Sequence, residues 1–244
     1  MLKTLYNEIL YRPIFNVLVF LYNIIPGHDF GIAIIILTIL ILAILFPLSY
    51  NLIKSRQALS AIQPKIKEIQ KKYKTKEEQG RELMKIYKEH NINPVSGCLP
   101  LLIQLPILMA LYKVLINVLQ PASLSALYPF VKHPGTINSL FLGILNLAKV
   151  SPILAGLAGV SQFLYSKLMM KYSPPTSQPS EQKGADIQKM IGKQMTYIFP
   201  FMIVIFGLNV PAGLTLYWVV FSLLSMGRDY YLFNKLYGKN KENN

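Results

Sequence analysis

Residues 93–112 read NPVSGCLPLLIQLPILMALY. A run this apolar and this long is buried either in a large core or in lipid. Pro100, Pro106 and Gln104 interrupt it. In hydrocarbon each is costly: a proline leaves a backbone carbonyl unpaired, and a glutamine amide needs partners. A helix that only crossed a membrane could do without all three. Just before this run comes a strongly basic stretch that cannot enter hydrocarbon. The fold must therefore join a membrane helix with a further task to a basic element in water.

Composition agrees. The 244 residues are 52% hydrophobic and only 15% charged, with mean hydropathy +0.38, a balance that points to a polytopic membrane protein. The net charge of +14 would suggest nucleic acid in a soluble chain. Here the charges are segregated between apolar runs, so membrane topology accounts for them and no direct nucleic-acid role is expected. One cysteine excludes an internal disulfide or a cysteine metal cluster, and His28, His90 and His133 follow no ligand spacing, so no metal site is expected. Glu8 and Arg12 break any secretory-signal core in the first 25 residues. Val95-Ser96-Gly97-Cys98 resembles a lipoprotein cleavage box, but it lies deep in the chain behind charges.

Segment 1–30 is expected to be an amphipathic outer segment. Leu5, Tyr6, Ile9, Leu10, Ile14, Val17, Leu18 and Leu21 repeat at helical spacing, with Asn7, Arg12 and Asn16 on other faces. The clean apolar part, residues 13–25, is shorter than the roughly 17–25 residues a span needs. An interfacial helix is the reading, a short tilted span the alternative. Pro26-Gly27-His28-Asp29 is a turn. Five spans follow, at 31–53, 97–119, 151–170, 194–210 and 212–233. They are connected by a cytosolic segment 54–96, an outer loop 120–150, a cytosolic loop 171–193, and a tight break at Asn209-Val210-Pro211-Ala212-Gly213. A short basic tail, 234–244, ends the chain.

Basic residues crowd 54–95 and recur at Lys171, Lys183, Lys189, Lys193, Lys235, Lys239 and Lys241, whereas the loop between the second and third spans has only Lys132 and Lys149. The positive-inside rule then places the N-terminus outside and the C-terminus in the cytosol. Within 54–96, Ile62, Ile66, Ile69 and Tyr73 mark one helix face. Thr75 and Glu78 form a T-x-x-E capping box for a second helix carrying Leu83, Ile86 and Tyr87. Together they predict an antiparallel helical hairpin. Residues 173–180, SPPTSQPS, have linker composition.

No glycine-rich phosphate loop, nucleophile elbow or HExxH is present, so no enzyme, catalytic residue or cofactor is expected. The first carboxylate inside a predicted span is Asp229, beside Arg228, read as a plain interfacial pair. Lys113 is read as snorkelling outward. Polar residues do occur in nearly every span: Thr38 sharing a face with Leu42, Leu45 and Ser49; Gln104; Ser161, Gln162, Tyr165 and Ser166; Tyr197; and Tyr217, Trp218, Ser222 and Ser225. Singly, each is explained equally well as hydrogen-bonding glue between helices. Their recurrence favours a shared polar cavity.

NPVSGCLPLLIQLPILMALY after a basic helical hairpin, YRPIFNVLVFLYNIIPGHDFGIAIIILT before it, Gln63-Pro64-Lys65-Ile66 within the hairpin, and NVPAGLTLYW at the start of the last span resemble the YidC (Oxa-type) membrane protein insertases. The likeness runs from about residue 5 to 236, in a minimal five-span bacterial form. It implies an all-α polytopic fold of five transmembrane helices around a hydrophilic groove, open to cytosol and lipid and closed outside. That groove receives the polar segments of nascent membrane proteins without nucleotide hydrolysis and releases their apolar spans to the lipid bilayer. The implied groove residues are Thr38, Leu42, Gln104, Gln162, Tyr197, Tyr217, Trp218 and Ser222. The hairpin, through Lys65, Lys67, Lys71, Lys72, Lys74, Arg81 and Lys85, either sits on anionic headgroups or contacts substrate, ribosome, Sec translocon or targeting machinery. One departure stands out. The family carries an arginine five residues before the proline of its x-Pro-Leu end, and counting back from Pro47-Leu48 gives Leu42. A polar but uncharged groove is therefore expected. With no transit peptide visible, the expected location is a bacterial cytoplasmic membrane. A small pore or transporter would need a membrane acid and a continuous polar path. A non-inserting assembly factor is the third alternative.

Overall fold

The computed structural model describes residues 2–90, 99–118, 126–172 and 194–242, and it is almost entirely helical. The chain opens with α1 (Leu2–Tyr6), a π-helical turn (Asn7–Tyr11) and α2 (Arg12–Ile24). Then come α3 (Phe30–Ile44), α4 (Phe46–Ala61), α5 (Gln63–Lys72), α6 (Lys76–Glu89) and α7 (Leu99–Asn117). A small antiparallel hairpin, β1 (Leu140–Phe141) and β2 (Leu145–Asn146), precedes α8 (Pro152–Tyr172). A π-helical turn (Gln194–Ile198) leads into α9 (Phe199–Gly207), and α10 (Ala212–Glu242) ends the described chain. Residues 93–98 and the 173–180 linker lie outside the described residues.

Two compact units form. One comprises Met1–Ile44, Leu101–Gln162 and Pro200–Leu224; the other Leu45–Pro100, Phe163–Phe199 and Ser225–Asn244. In the first, Phe15, Leu18, Val19, Phe30, Ile34, Leu111, Val114 and Leu214 are fully buried or nearly so. Burial here runs against the soluble pattern. On α8, Ile153, Leu157, Val160 and Leu164 are exposed at helical spacing, while Ser161 and Gln162 are buried. On α7, Leu102, Leu105 and Met109 are exposed in the same way. Exposed apolar ridges over a buried polar interior are costly in water and suit an apolar surrounding. Among the described residues, α8 has the length and apolarity to cross a membrane. So, taken together, do α3 and α4, and the apolar helices Leu102–Asn117 and Thr196–Gly207 are shorter.

The first predicted span does not continue straight from 31 to 53. It breaks between Ile44 and Phe46. Pro47, in the first turn of α4, has no amide to offer the preceding turn. Ser49 Oγ donates to the Leu45 carbonyl one turn before it at 3.0 Å.

The N-terminal segment also differs from a one-sided amphipathic helix. Leu18 and Leu21 are buried, but Leu5, Ile9 and Val17, predicted on the same face, are exposed. Asn16, expected on the polar side, is 2% exposed. Its amide donates to the Arg12 carbonyl at 2.8 Å and the Ala126 carbonyl at 3.2 Å, and its Oδ1 accepts from the Tyr128 amide at 2.6 Å. It is the polar pin that holds the loop around 126–128 to α2. The loop is tied further by Asn23 to the Lys132 carbonyl and by the Asn138 amide to the Tyr22 hydroxyl. Phe141 lies against Gly31, where any Cβ would overlap its ring.

In the second unit, the helical hairpin forms as the sequence predicts. Ile62 and Ile66 are buried against Ala58, Leu59, Leu83, Ile86 and Tyr87. The Glu78 amide donates to Thr75 Oγ1 at 3.4 Å, capping α6.

Candidate functional site

Two small polar clusters sit inside the first unit, on successive residues of α10. Gln104 Nε2, from α7, donates to the Tyr217 hydroxyl at 2.9 Å. Trp218 Nε1 donates to Gln162 Oε1, from α8, at 3.0 Å, and Ser222 Oγ donates to the same oxygen at 3.1 Å. Tyr217 and Ser222 are fully buried, and Gln162 and Trp218 are each 7% exposed. The clusters form because α10 presents neighbouring side chains to two different helices. Tyr217 turns to α7, while Trp218 and, one turn on, Ser222 turn to α8. Each member satisfies a group that would otherwise be stranded in an apolar interior, where an unpaired amide or hydroxyl costs on the order of 1–3 kcal/mol.

Of the eight residues implied as groove-lining, five are thus joined in these contacts. Thr38 is buried, but its hydroxyl turns back to the Ile34 carbonyl at 2.7 Å. Leu42, one turn later, is buried and apolar, 7% exposed. Tyr197 is exposed and belongs to the second unit, its ring 5.9 Å from that of Phe163. Beside Trp218, a small recess is lined by Ala158, Ile203, Gly207, Leu214 and Thr215. Thr215 Oγ1 and Ser225 Oγ are buried side-chain oxygens without a hydrogen-bond partner.

The second unit holds a polar cluster that sequence reasoning underrated. Asp229, read as an interfacial pair with Arg228, does pair with it but is buried, 2% exposed. Its Oδ1 accepts from Arg228 Nε at 2.7 Å and its Oδ2 from the Tyr165 hydroxyl at 2.8 Å. Arg56 lies in the same unit, with Nη1 3.0 Å from Met169 Sδ. The signal was present in sequence as an aspartate and a tyrosine in apolar runs, but nothing paired them.

On the hairpin, Lys65, Lys71, Lys72, Lys74, Arg81 and Lys85 are exposed and Lys67 is half-buried. The Glu82 carboxylate, through a hydrogen bond and its charge, holds Lys85 above the usual lysine range. Burial pushes the Tyr87 phenol up. Lys65 Nζ is 3.2 Å from His90 Nε2. Lys113, predicted to snorkel, is exposed with its Nζ 5.0 Å from the centre of the Tyr6 ring.

A family model described as 60Kd inner membrane protein matches residues 20–240. The membrane protein insertase YidC 1 of Lactococcus lactis is 39% identical over 209 residues, covering 84% of this chain and 68% of that protein. The membrane protein insertase YidC of Fusobacterium nucleatum is 35% identical over 229 residues, 93% of this chain and 98% of the relative. That of Syntrophus aciditrophicus is 35% identical, but the chain spans only 35% of its length. A crystal structure of an active YidC insertase, with its first transmembrane domain resolved, superposes with TM-score 0.58 and 28% identity over 93% of this chain and 46% of that one.

Proposed function

The chain belongs to the 60Kd inner membrane protein family, that of the YidC insertases, and from that membership we propose that it inserts nascent membrane proteins into a bacterial cytoplasmic membrane. In this reading five helical segments cross the bilayer: α3 with the start of α4, α7, α8, α9 with the turn before it, and the apolar part of α10. The N-terminus lies outside and the C-terminus in the cytosol. The basic hairpin α5–α6 lies on the cytosolic face, where its cations meet anionic headgroups at roughly 1 kcal/mol each and meet substrate, ribosome, Sec translocon or targeting machinery.

The observation that carries the proposal is the pair of clusters Gln104–Tyr217 and Gln162–Trp218–Ser222. Helices whose outward faces are apolar hold inside them amides, a phenol, an indole and a hydroxyl. At rest these groups satisfy one another. A polar substrate segment that reaches them exchanges partners with them, and so crosses part of the membrane without a stranded backbone group, which in hydrocarbon costs several kcal/mol. As acceptor from Gln104, the Tyr217 phenol keeps its own hydrogen for a second partner. The substrate's apolar span then moves into lipid, and its burial drives the step without nucleotide hydrolysis.

Leu42 makes the interior uncharged where the resembling family has arginine, so preferred substrates have short, weakly charged outer segments. Reconstituted insertion of a small two-span protein tests the whole reading; loss of ion flux with normal insertion supports a channel instead. Paired substrates with acidic and neutral outer segments test the charge. Wild type is expected to favour the neutral segment and Leu42→Arg to rescue the acidic one. Equal handling of both substrates by both proteins overturns the uncharged groove.

A further inference from the structure

The hairpin β1–β2 has the wrong tip for water. Its turn, closed by the Ile144 amide on the Phe141 carbonyl at 3.1 Å, has positive φ at both central residues, 51° at Leu142 and 71° at Gly143. Asn-Gly is the pair that this geometry prefers. Leucine is strained in the left-handed region and gains nothing there from exposure. Yet Leu142 is 62% and Ile144 88% exposed, and Phe130, earlier in the same loop, is 77% exposed. The tip is also rigidly placed. Asp29 Oδ2 accepts from the Leu142 amide at 2.6 Å, while its Oδ1 accepts from the Ile32 amide at 2.9 Å, in the first turn of α3. Phe141 is seated on Gly31. One carboxylate therefore fixes the hairpin tip to the end of α3, the level at which the first span meets water.

We propose that Leu142, Ile144 and Phe130 form an apolar foot that enters the outer leaflet of the bilayer at the headgroup–acyl boundary. The foot extends an apolar surface that α2 already presents through Val17, Phe20 and Ile24, which are exposed at helical spacing on a helix bound to the same loop. Lys132 and Lys149, both exposed on that loop, supply cations for anionic headgroups. A leucine that suits neither its backbone nor water is accounted for by lipid around its side chain.

The inference rests on the proposed orientation, so the test separates the two. In a Cys98→Ser background, Ile144→Cys and, as control, Thr136→Cys, exposed on the same loop, are labelled with an environment-sensitive fluorophore. The proteins are reconstituted in vesicles of phosphatidylethanolamine and phosphatidylglycerol. A membrane-impermeant thiol reagent applied to cells reads sidedness at position 136. Expected are labelling of 136 from outside, aqueous emission at 136, and blue-shifted emission at 144 quenched by brominated lipid at a depth of about 5–10 Å. Labelling of 136 only from the cytosol overturns the orientation. Outside labelling with aqueous emission at 144 overturns the foot and leaves a protein partner as its occupant. A lipid-borne diazirine on the unsubstituted protein repeats the reading without a cysteine: crosslinks at 142–144 support the foot, and crosslinks absent there but present on α2 refute it.

Discussion

Replacing Gln162 with leucine keeps the side chain's bulk and removes the one oxygen shared by Trp218 and Ser222. Two hydrogen bonds between helices are lost together. At roughly 0.6–1.7 kcal/mol for each such bond within a membrane bundle, the expected cost is about 1–3 kcal/mol. Ser222→Ala alone removes one of the two and costs about 1 kcal/mol, but in the Gln162→Leu background it costs almost nothing, because its partner is already gone. The double-mutant cycle should therefore show a coupling of about 0.5–1.5 kcal/mol. Trp218 is the only tryptophan of the chain, so its fluorescence reports this contact directly. Loss of the indole hydrogen bond blue-shifts its emission, and the same signal follows unfolding by detergent titration in bicelles. Additivity within about 0.3–0.5 kcal/mol, together with an unshifted emission maximum, would refute the shared-acceptor geometry.

Three further outcomes follow from contacts outside that cluster. Asn16→Leu removes three hydrogen bonds to backbone groups and should cost about 2–4 kcal/mol by leaving those partners unsatisfied, read as faster proteolysis of the loop near 126–131. Gly31→Ala places a methyl in the Phe141 ring and should cost about 1–3 kcal/mol as overpacking. Adding Phe141→Ala should recover part of the loss, which a purely helical effect at position 31 would not allow. Asp229→Leu strips Arg228 and Tyr165 of their shared acceptor and should cost about 3–5 kcal/mol. Asp229→Asn keeps an acceptor and should cost clearly less, both read by thermal unfolding in nanodiscs.

Much of the helical order is legible in sequence because it rests on local signals. The T-x-x-E box starts α6, Pro64 sits in the first turn of α5, and the Ile62–Ile66 stripe meets Leu83 and Ile86. The polar interior is only half legible. Gln104, Gln162 and Trp218 stand out as polar atoms in apolar runs, but Gln104 meets a tyrosine 113 residues away and Trp218 a glutamine 56 residues away. Helix rotation decides those pairings, and no periodicity encodes it. Asn16, read on a polar face, and Asp229, read as an interfacial partner of Arg228, are both more buried than those readings imply. The partners that bury them, the Ala126 and Tyr128 backbone for Asn16 and the Tyr165 hydroxyl for Asp229, come from distant parts of the chain. Leu142 shows the converse. Nothing in the loop's sequence marks it, and its positive φ and exposure reveal a turn whose side chains face outward. Sequence rules for burial assume that the outside is water. In a chain whose exposed ridges are Ile153, Leu157 and Val160 that assumption inverts, and the polar residues become the part of the sequence that says where the inside is.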